Sequence, residues 1–428
     1  MKYLTVIVLL CFCGCAPKQS ADKSGTILSM QIIDRNGFTE TISNKDRLCS
    51  FKDTNFLSPQ PFQKVLRIYG RNLAGQSTSK ITSYHDNGSL CQYLEAVDGR
   101  AHGLYQEWHP NGQLKIETQV IEGTADIHEL AQASWVFEGL CQVQNEQGQK
   151  IAEFHYNKGL LEETASYFFP DGKLQKKIPY AQGEIHGIYQ LLDEEGNILE
   201  EIPYAKGEKE GVARAYWAPG IFLSEEHFEG GLLQEASYFD REGNCIAKVE
   251  KGEGKLAQFQ EGKLYCLSSI TKGRGEGEVS YFNPDGTLHI SYILKEGKKQ
   301  GEEWEYFPYS AQETPRAKLC IHWNEDRIEG QVKTWYPNGQ AESQREIHNN
   351  KKQGNCFAWY KNGELMLLEE YENDLLLKGS YYKKGDKKAV SKVDSGKGIA
   401  YLYTAEGIFS KKVSYEKGKP LLHNDSMN

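Results

Sequence analysis

The chain has 428 residues, of which 39% are hydrophobic and 11% are aromatic, with 25 tyrosines and 42 glycines. This length exceeds what one compact core usually serves, and so many aromatic residues exclude a disordered chain, so we expect a repeat array or several domains built from short strands and tight turns. The net charge of −9 argues against nucleic acid as a partner and against electrostatic adhesion to anionic lipid, because both need a basic face.

The first fifteen residues, MKYLTVIVLLCFCGC, have the form of an export signal. Lys2 is basic, residues 3–12 form an apolar run that is too short to cross a bilayer in the mature protein, and small residues lead to Cys15. We therefore predict a cleaved signal peptide over residues 1–14 and a polar tether over residues 15–26. The protein is expected to be exported.

The Gly14-Cys15 junction resembles the lipobox of bacterial lipoproteins. The resemblance implies that Cys15 carries fatty acyl groups such as palmitate, and several chains would hold the protein at a membrane of the cell envelope. Ala16 is similar to the residue that sends Gram-negative lipoproteins to the outer membrane. Phe12 departs from the pattern, which usually has Leu there, and a plain secretory signal is the alternative.

Residues 27–74 are predicted to form an N-terminal β cap. The stretch MQIIDRNGFTETIS places Arg-Asn-Gly (35–37) between apolar residues, which is a hairpin signal. Pro59 and Pro61 follow it and would blunt an open sheet edge.

Residues 75–423 contain a repeat whose uninterrupted copies are 24 residues apart. A second signal, of the form G-x-x-x-G, lies between the turn glycines, as at 99–103 and 183–187. Each unit is therefore predicted to hold two strands and two turns, in an all-β fold built as an elongated antiparallel β-meander. The turn glycines include Gly88, Gly112, Gly148, Gly172, Gly196, Gly220, Gly286, Gly339 and Gly363.

Turns such as HPNG (109–112) and YPNG (336–339) predict a specific hairpin geometry. Pro favours the first corner of a type I turn, Asn the second, and Gly closes the bulge in the left-handed conformation. The residue four before the glycine then pairs with the residue two after it. The second position is mostly aliphatic, with Lys150 and Lys387 as exceptions, and Gln144 is the exception at the first position. The first position otherwise holds Tyr84, Trp108, Phe168, Leu192, Tyr216, Phe239, Phe282, Trp335, Trp359, Tyr381 and Tyr403.

The repeat resembles the bacterial variant of the MORN (membrane occupation and recognition nexus) family, whose unit reads roughly G-x-x-x-x-Y-Y-x-N-G-x-L-x-x-E-x-x-Y-x-x-G-K. Gly103-LYQEWHPNGQL-KIETQVIEG and Gly330-QVKTWYPNGQA-ESQREIHNN follow that frame. The resemblance covers roughly residues 75 to 420 and implies β-hairpin repeats of about 24 residues. Related YwqK-like chains are labelled as antitoxin components, but a cytoplasmic antitoxin should not carry an export signal.

Two insertions interrupt the repeat. Residues 124–135 (TADIHELAQASW) have helix-compatible composition, and residues 308–317 (PYSAQETPRA) are polar and bracketed by proline. Loops often carry binding functions, so both are candidate partner contacts, with plain spacers as the alternative.

The sequence contains no recognisable catalytic or metal-ligand set, so we expect no enzyme activity, no cofactor and no metal. Cysteines 49, 91, 141, 245, 266, 320 and 356 have no CxxC spacing; we expect small buried side chains, with one or two disulfides between hairpins as the alternative. His102 and His186 are interpreted as turn residues, and GRGEG (273–277) as a repeat turn rather than a phosphate loop. Paired acids such as Glu162/Glu163 and Glu369/Glu370 are expected to face solvent.

These patterns favour a non-catalytic, envelope-anchored scaffold that binds another protein, attached to the membrane through its lipid and not binding nucleic acid. A membrane-surface or glycan-binding module is the alternative, because the adjacent aromatics 335–336, 359–360 and 381–382 should point to opposite faces of a strand, one buried and one exposed. An antitoxin-like or immunity protein is a third candidate.

Overall fold

The computed structural model describes residues 27–51, 54–60, 63–310 and 312–421. The predicted signal peptide, the Cys15 lipid anchor and the tether lie outside these residues. The chain divides into two compact units: the first extends to Leu174 and includes Tyr180–Gly183, and the second comprises Gln175–Pro179 and the chain from Glu184 onward.

The first unit is a run of antiparallel strands with two short helices. Each strand from β3 to β9 pairs with the next along the chain, and β1 pairs with both β2 and β3. The elements are β1 (Ile27–Asp34), β2 (Thr39–Ile42), α1 (Lys45–Cys49), β3 (Gln63–Arg71), β4 (Ser77–Tyr84), β5 (Leu90–Val97), β6 (Arg100–Trp108), β7 (Leu114–Glu122), α2 (Glu129–Gln132), β8 (Val136–Gln144), β9 (Lys150–Asn157) and β10 (Leu160–Phe168).

The second unit continues the same pattern, and β11 (Leu174–Ala181) lies where the chain divides. Its elements are β12 (Glu184–Ile185), β13 (Gly187–Leu192), β14 (Ile198–Ala205), β15 (Glu208–Lys209), β16 (Gly211–Ala218), β17 (Ile221–Glu229), β18 (Leu232–Phe239), β19 (Cys245–Glu250), β20 (Glu253–Gln260), β21 (Lys263–Thr271), β22 (Arg274–Phe282), β23 (Leu288–Lys295), β24 (Lys298–Tyr306), β25 (Ala317–Asn324), β26 (Arg327–Trp335), β27 (Ala341–His348), β28 (Lys351–Trp359), β29 (Leu365–Glu372), β30 (Leu375–Tyr381), β31 (Ser391–Asp394), β32 (Lys397–Tyr403), β33 (Phe409–Glu416) and β34 (Lys419–Pro420). The predicted all-β meander of MORN-like hairpins is confirmed.

The first turn has the predicted geometry in most repeats. At Gly88 the amide donates to the His85 carbonyl at 2.8 Å, the His85 amide donates to the Ser89 carbonyl, and the glycine φ is +86°. A type I turn closed by a left-handed glycine sets the register of the hairpin that follows. The residue four before the glycine pairs with the residue two after it at Gly88, Gly112, Gly148, Gly196, Gly220, Gly243, Gly286, Gly339, Gly363 and Gly407.

The prediction is wrong at Gly385. Tyr381 pairs with Ser391 instead of Lys387. Residues 382–390 form a longer loop, in which the Val390 amide donates to the Tyr381 carbonyl at 2.8 Å. The glycine there belongs to the loop and does not close a three-residue hairpin.

The second turn of most repeats is a two-residue turn with positive φ at both residues, such as Asp98 and Gly99. This conformation matches the right-handed twist of the flanking strands. Asn349-Asn350 and Asn373-Asp374 adopt it without glycine, because Asn and Asp tolerate the left-handed region.

The closing glycine of G-x-x-x-G has another role. A Cβ on Gly187 would lie 3.1 Å from the Pro179 ring, and one on Gly103 would lie 2.8 Å from the Glu95 Cβ. At these two glycines a side chain of the preceding strand leaves little room for a larger residue, whereas a Cβ on Gly301 would meet no atom within 4 Å.

Among the described residues, each unit has two hydrophobic clusters. In the first unit, Met30, Leu48 and Tyr84 belong to one cluster, so α1 packs against the predicted N-terminal hairpin, whose β1–β2 pairing is confirmed. The second cluster contains Tyr105 and Trp135. The clusters of the second unit are centred on Tyr238 and on Tyr381.

The insertion at 124–135 is a packed excursion with a helix, as its composition suggested. The His128 side chain caps α2 by accepting from the Ala131 amide. Trp135 is buried at 4.8 Å from the Tyr105 ring, and its indole donates to the Thr124 carbonyl at 2.9 Å. This segment therefore contributes core side chains.

Candidate interaction surface

Tyr381 of the predicted aromatic ladder is fully buried and Phe239 is half-buried, and the other eight aromatic residues divide into one buried and seven half-buried side chains. Tyr84 is in the core, where its hydroxyl donates to the Phe56 carbonyl at 2.9 Å and burial raises its pKa. The other seven expose part of their rings along the turn ends of their strands: Trp108, Phe168, Tyr216, Phe282, Trp335, Trp359 and Tyr403.

Ring contacts accompany several ladder positions. Tyr216 stacks on its cross-strand partner Phe222 at 5.1 Å, and the Lys150 ammonium lies 4.4 Å from the Phe168 ring. Such pairs stabilise a sheet through its surface residues. The ladder is thus structural, and its outer ring surface is available for contact.

The residue three before the turn glycine connects consecutive repeats. The Tyr336 hydroxyl donates to the Trp359 carbonyl at 2.7 Å, and the Tyr360 hydroxyl donates to the Tyr382 carbonyl at 2.6 Å. His85 and His109 make the same kind of contact through Nε2. In the pairs 335–336 and 359–360, the tyrosine is therefore the buried member and the tryptophan the more exposed one.

Asparagine in the first turn also joins repeats. The Asn338 Oδ1 accepts from the Gln340 amide within its own turn, while its Nδ2 donates to the Lys361 carbonyl of the next turn at 3.0 Å. Asn87 and Asn111 act in the same way. The sequence pattern found the turn role of this residue but not its second role.

The residue before the closing position of G-x-x-x-G, a position that holds Gly330 after Glu329 but Glu163 after Glu162, accepts a hydrogen bond from a later turn. Glu162 accepts from the Gln182 amide at 2.7 Å, and Glu329 accepts from the Asn349 amide at 2.8 Å, which lowers the pKa of the Glu329 carboxyl. His186 accepts from the Lys206 amide at 3.4 Å, which agrees with the interpretation of this histidine as a turn residue. Gly273 of GRGEG likewise donates to the Gly252 carbonyl at 2.9 Å, in a repeat turn.

One paired acid does not face solvent as expected. Glu369 accepts hydrogen bonds from the hydroxyls of Tyr381 at 2.8 Å and Tyr371 at 3.1 Å, within the cluster centred on Tyr381. The two tyrosine hydroxyls supply hydrogen bonds to the carboxylate in place of the water that its partial burial removes.

The cysteines of the described residues are all free thiols, so the alternative of disulfides between hairpins is not realised. Four are buried, as expected of small apolar side chains: Cys141, Cys266, Cys320 and Cys356. Burial raises the pKa of Cys320 to about 11. The expected burial is wrong for Cys49 and Cys245, which are exposed, and Cys91 is half-buried. Cys245 is exposed because its partner Phe239 is only half-buried at the turn end of its strand.

A group of partly exposed aromatic rings lies beside the insertion at 308–317. Trp335 stacks on Trp304 with ring centroids 5.7 Å apart. An open depression of about 320 Å³ lies next to Trp335. It is lined by Glu305, Phe307, Lys318, Leu319, Thr334, Trp335, Tyr336, Pro337 and Glu342.

The insertion is fixed against the neighbouring turns of this depression. Arg316 donates from Nη1 to the Pro337 carbonyl at 2.9 Å, and the Phe307 amide donates to the Arg316 carbonyl at 2.9 Å. Within the depression, Lys318 and Glu305 form an ion pair of 2.5 Å. Apolar rings with a few charged groups at their border are the composition of protein contact sites.

Segments 101–121, 164–182, 185–206 and 328–349 match the family model described as MORN repeat variant. Four stretches of this chain are thus similar to MORN repeats. The first and last matches correspond to the hairpins β6–β7 and β26–β27, whose turns are the Pro-Asn-Gly turns. MORN repeats are generally modules for protein or membrane interaction, and the family is generally non-catalytic.

Other comparisons add little to the MORN match. No curated protein matches the chain. Among 41 matching solved chains, the one titled "Crystal Structure of TcdB2-TccC3-TEV" is 12% identical, with 90% of this chain and 28% of that chain covered, at a TM-score of 0.14. A likeness this small carries no argument. Within the described ranges, no His, Cys, Asp and Glu group could hold a metal ion, and no helix is long and apolar enough to cross a membrane.

Proposed function

We propose that this protein is a non-catalytic interaction scaffold of the bacterial cell envelope. Its MORN-type hairpins would hold a surface at which another protein binds, and the lipobox-like Gly14-Cys15 junction would tie the scaffold to a membrane through acyl groups. The observation that carries the proposal is the depression beside Trp335, where half-exposed aromatic rings adjoin a fixed insertion.

The Trp335 ring at this depression is both partly exposed and rigid, which suits it to bind a partner. Trp and Tyr provide large contact areas with few rotatable bonds, and they are enriched where proteins bind one another. Trp335 is held by its stack on Trp304 and by its place on β26. Binding of a partner would therefore cost little conformational entropy at this side chain.

A matched pair of variants tests the proposal. Trp335→Ala and Trp359→Ala change the same residue type at the same repeat position, but only Trp335 lines the depression. Each full-length protein would be captured from detergent-solubilised membranes of its own organism, and bound proteins quantified by mass spectrometry. We expect a specific partner that Trp335→Ala loses and Trp359→Ala keeps. Absence of any specific partner, or equal loss in both variants, would count against the proposal.

A glycan ligand is the second candidate, because the stacked Trp304 and Trp335 rings form the kind of aromatic platform that packs on sugar rings. Glycan arrays probed with a Cys15→Ala protein test it. Binding that Trp335→Ala abolishes would favour the glycan, and no binding above background would remove it.

The anchor is tested separately. We expect wild-type protein in the membrane fraction, with a globomycin-sensitive shift in size, and both features to be lost in Cys15→Ala. Unchanged fractionation of Cys15→Ala would refute the lipid anchor without affecting the proposed contact surface.

A further inference from the structure

The last part of the described chain carries a charge opposite to that of the whole protein. Residues 375–421 contain eleven lysines, no arginine and four carboxylate residues, a formal charge of +7 in a chain whose net charge is −9. The lysines are Lys378, Lys383, Lys384, Lys387, Lys388, Lys392, Lys397, Lys411, Lys412, Lys417 and Lys419. We call this region the lysine surface.

Few of these lysines form an ion pair with a neighbouring side chain. Among the described residues, only Lys378 of the eleven forms a side-chain ion pair, with Glu370 at 3.2 Å. All eleven lysines are exposed. Elsewhere in the protein, many lysines pair with a carboxylate of a neighbouring strand, as Lys115 does with Glu107 and Lys318 with Glu305.

The loop at 382–390 holds four of these lysines in place. The Gly385 amide donates to the Glu364 carboxylate at 2.8 Å, and the Asp386 amide donates to the Lys383 carbonyl at 2.9 Å. The Lys384 ammonium lies 3.5 Å from the Glu406 carbonyl of the next turn. The loop is therefore adjacent to the β32–β33 turn, where Ile408 is 66% exposed and Phe409 is 54% exposed.

The lysines surround the β32–β33 hairpin instead of lying on one plane. Lys411 pairs with Leu402 and Lys412 with Tyr401, so these neighbours point to opposite faces of the sheet. The loop lysines lie at one end of the hairpin, and Lys417 follows its other end. A flat bilayer could meet only one of these sides, whereas a flexible chain could follow all of them.

We propose that the lysine surface binds an acidic, flexible polypeptide segment of a partner protein. The lysines would attract its carboxylates and set the rate of encounter. Ile408 and Phe409 would pack against apolar side chains that interrupt the acidic run. This contact is separate from the depression beside Trp335.

The test uses a fluorescein-labelled, unstructured peptide rich in glutamate with a few leucines, titrated with full-length protein and followed by fluorescence anisotropy. The loop variant replaces Lys383, Lys384, Lys387 and Lys388 with Ala. The control replaces Lys158, Lys206, Lys251 and Lys272, which are exposed turn lysines, and alters the net charge equally. We expect affinity to fall about tenfold in the loop variant, as four weak exposed ion pairs imply, to remain within about threefold in the control, and to decrease as salt is raised.

Three results would overturn the proposal: no binding of the peptide by wild-type protein, equal loss in the loop variant and the control, or binding to phosphatidylglycerol vesicles in place of the peptide. The last would assign the surface to a membrane. If Trp335→Ala still binds the peptide, peptide binding by the lysine surface does not depend on the proposed partner site at Trp335.

Discussion

The Tyr360 hydroxyl connects two repeats at a fully buried position. Its side chain is 0% exposed, and it donates to the Tyr382 carbonyl at 2.6 Å. Tyr360→Phe keeps the ring and removes this donor, which leaves a carbonyl without that partner. Because an unsatisfied buried polar group costs about 1–3 kcal/mol, we predict that the variant loses that much of its free energy of unfolding.

The loss has a pH signature. Burial raises the pKa of Tyr360 to about 12 from an ordinary value of 10. The neutral phenol is therefore favoured in the folded state, and its contribution is complete below pH 10 and lost as the pH rises toward 12. Tyr360→Phe should lose less stability over this interval than the wild type does.

Urea unfolding followed by hydrogen exchange of residues 382–390 measures both effects, since repeat proteins can unfold in parts. Tyr265→Phe is the control, because Tyr265 is an exposed strand tyrosine whose replacement should change stability by less than about 0.5 kcal/mol. If Tyr360→Phe and the control behave alike, and exchange in the loop is unchanged, the hydroxyl does not hold the repeats together.

Three further variants test other parts of the account. Asn338→Asp keeps the acceptor within the turn but loses the donor to the Lys361 carbonyl, so we expect a loss of about 1 kcal/mol by urea unfolding; no change would show that this donor is dispensable. Leu376→Ala removes a fully buried side chain from the cluster centred on Tyr381 and should lower the free energy of unfolding by about 2–5 kcal/mol. A smaller loss, measured by thermal unfolding, would mean that neighbouring side chains move to fill the cavity. Burial raises the pKa of Cys320 from 9 to about 11, so its thiol contributes stability that is complete below pH 9 and lost as the pH approaches 11. Cys320→Ala should therefore show a smaller fall in Tm between pH 9 and pH 11 than the wild type. Parallel plots of Tm against pH for the two proteins would contradict this.

The hairpin geometry could be predicted from the sequence because its determinants are local. Pro, Asn and Gly at fixed positions select one turn type, and the turn type fixes which residues pair, as at Trp335 and Ala341. Gly385 misled this reasoning because a glycine alone does not specify the loop length. The turns at 349–350 and 373–374 were missed because no glycine marks them, although the Asn and Asp residues in those turns were a usable signal.

Contacts between repeats were beyond the reach of local patterns. The burial of Tyr336 and Tyr360 depends on how one hairpin lies beside the next. Trp135 is buried because the insertion folds back onto Tyr105, which composition does not reveal. The lysine surface was hidden by the net charge of the whole chain, since an overall value of −9 does not describe a region of +7.

The proposed partner contact at Trp335 is the central claim, and site-specific photo-crosslinking in living cells tests it most directly. A benzoylphenylalanine in place of Trp335 would be compared with one in place of Leu140, an exposed residue of the other unit. The account predicts one discrete crosslinked protein from position 335 that position 140 does not produce. No adduct, or the same adducts from both positions, would contradict it.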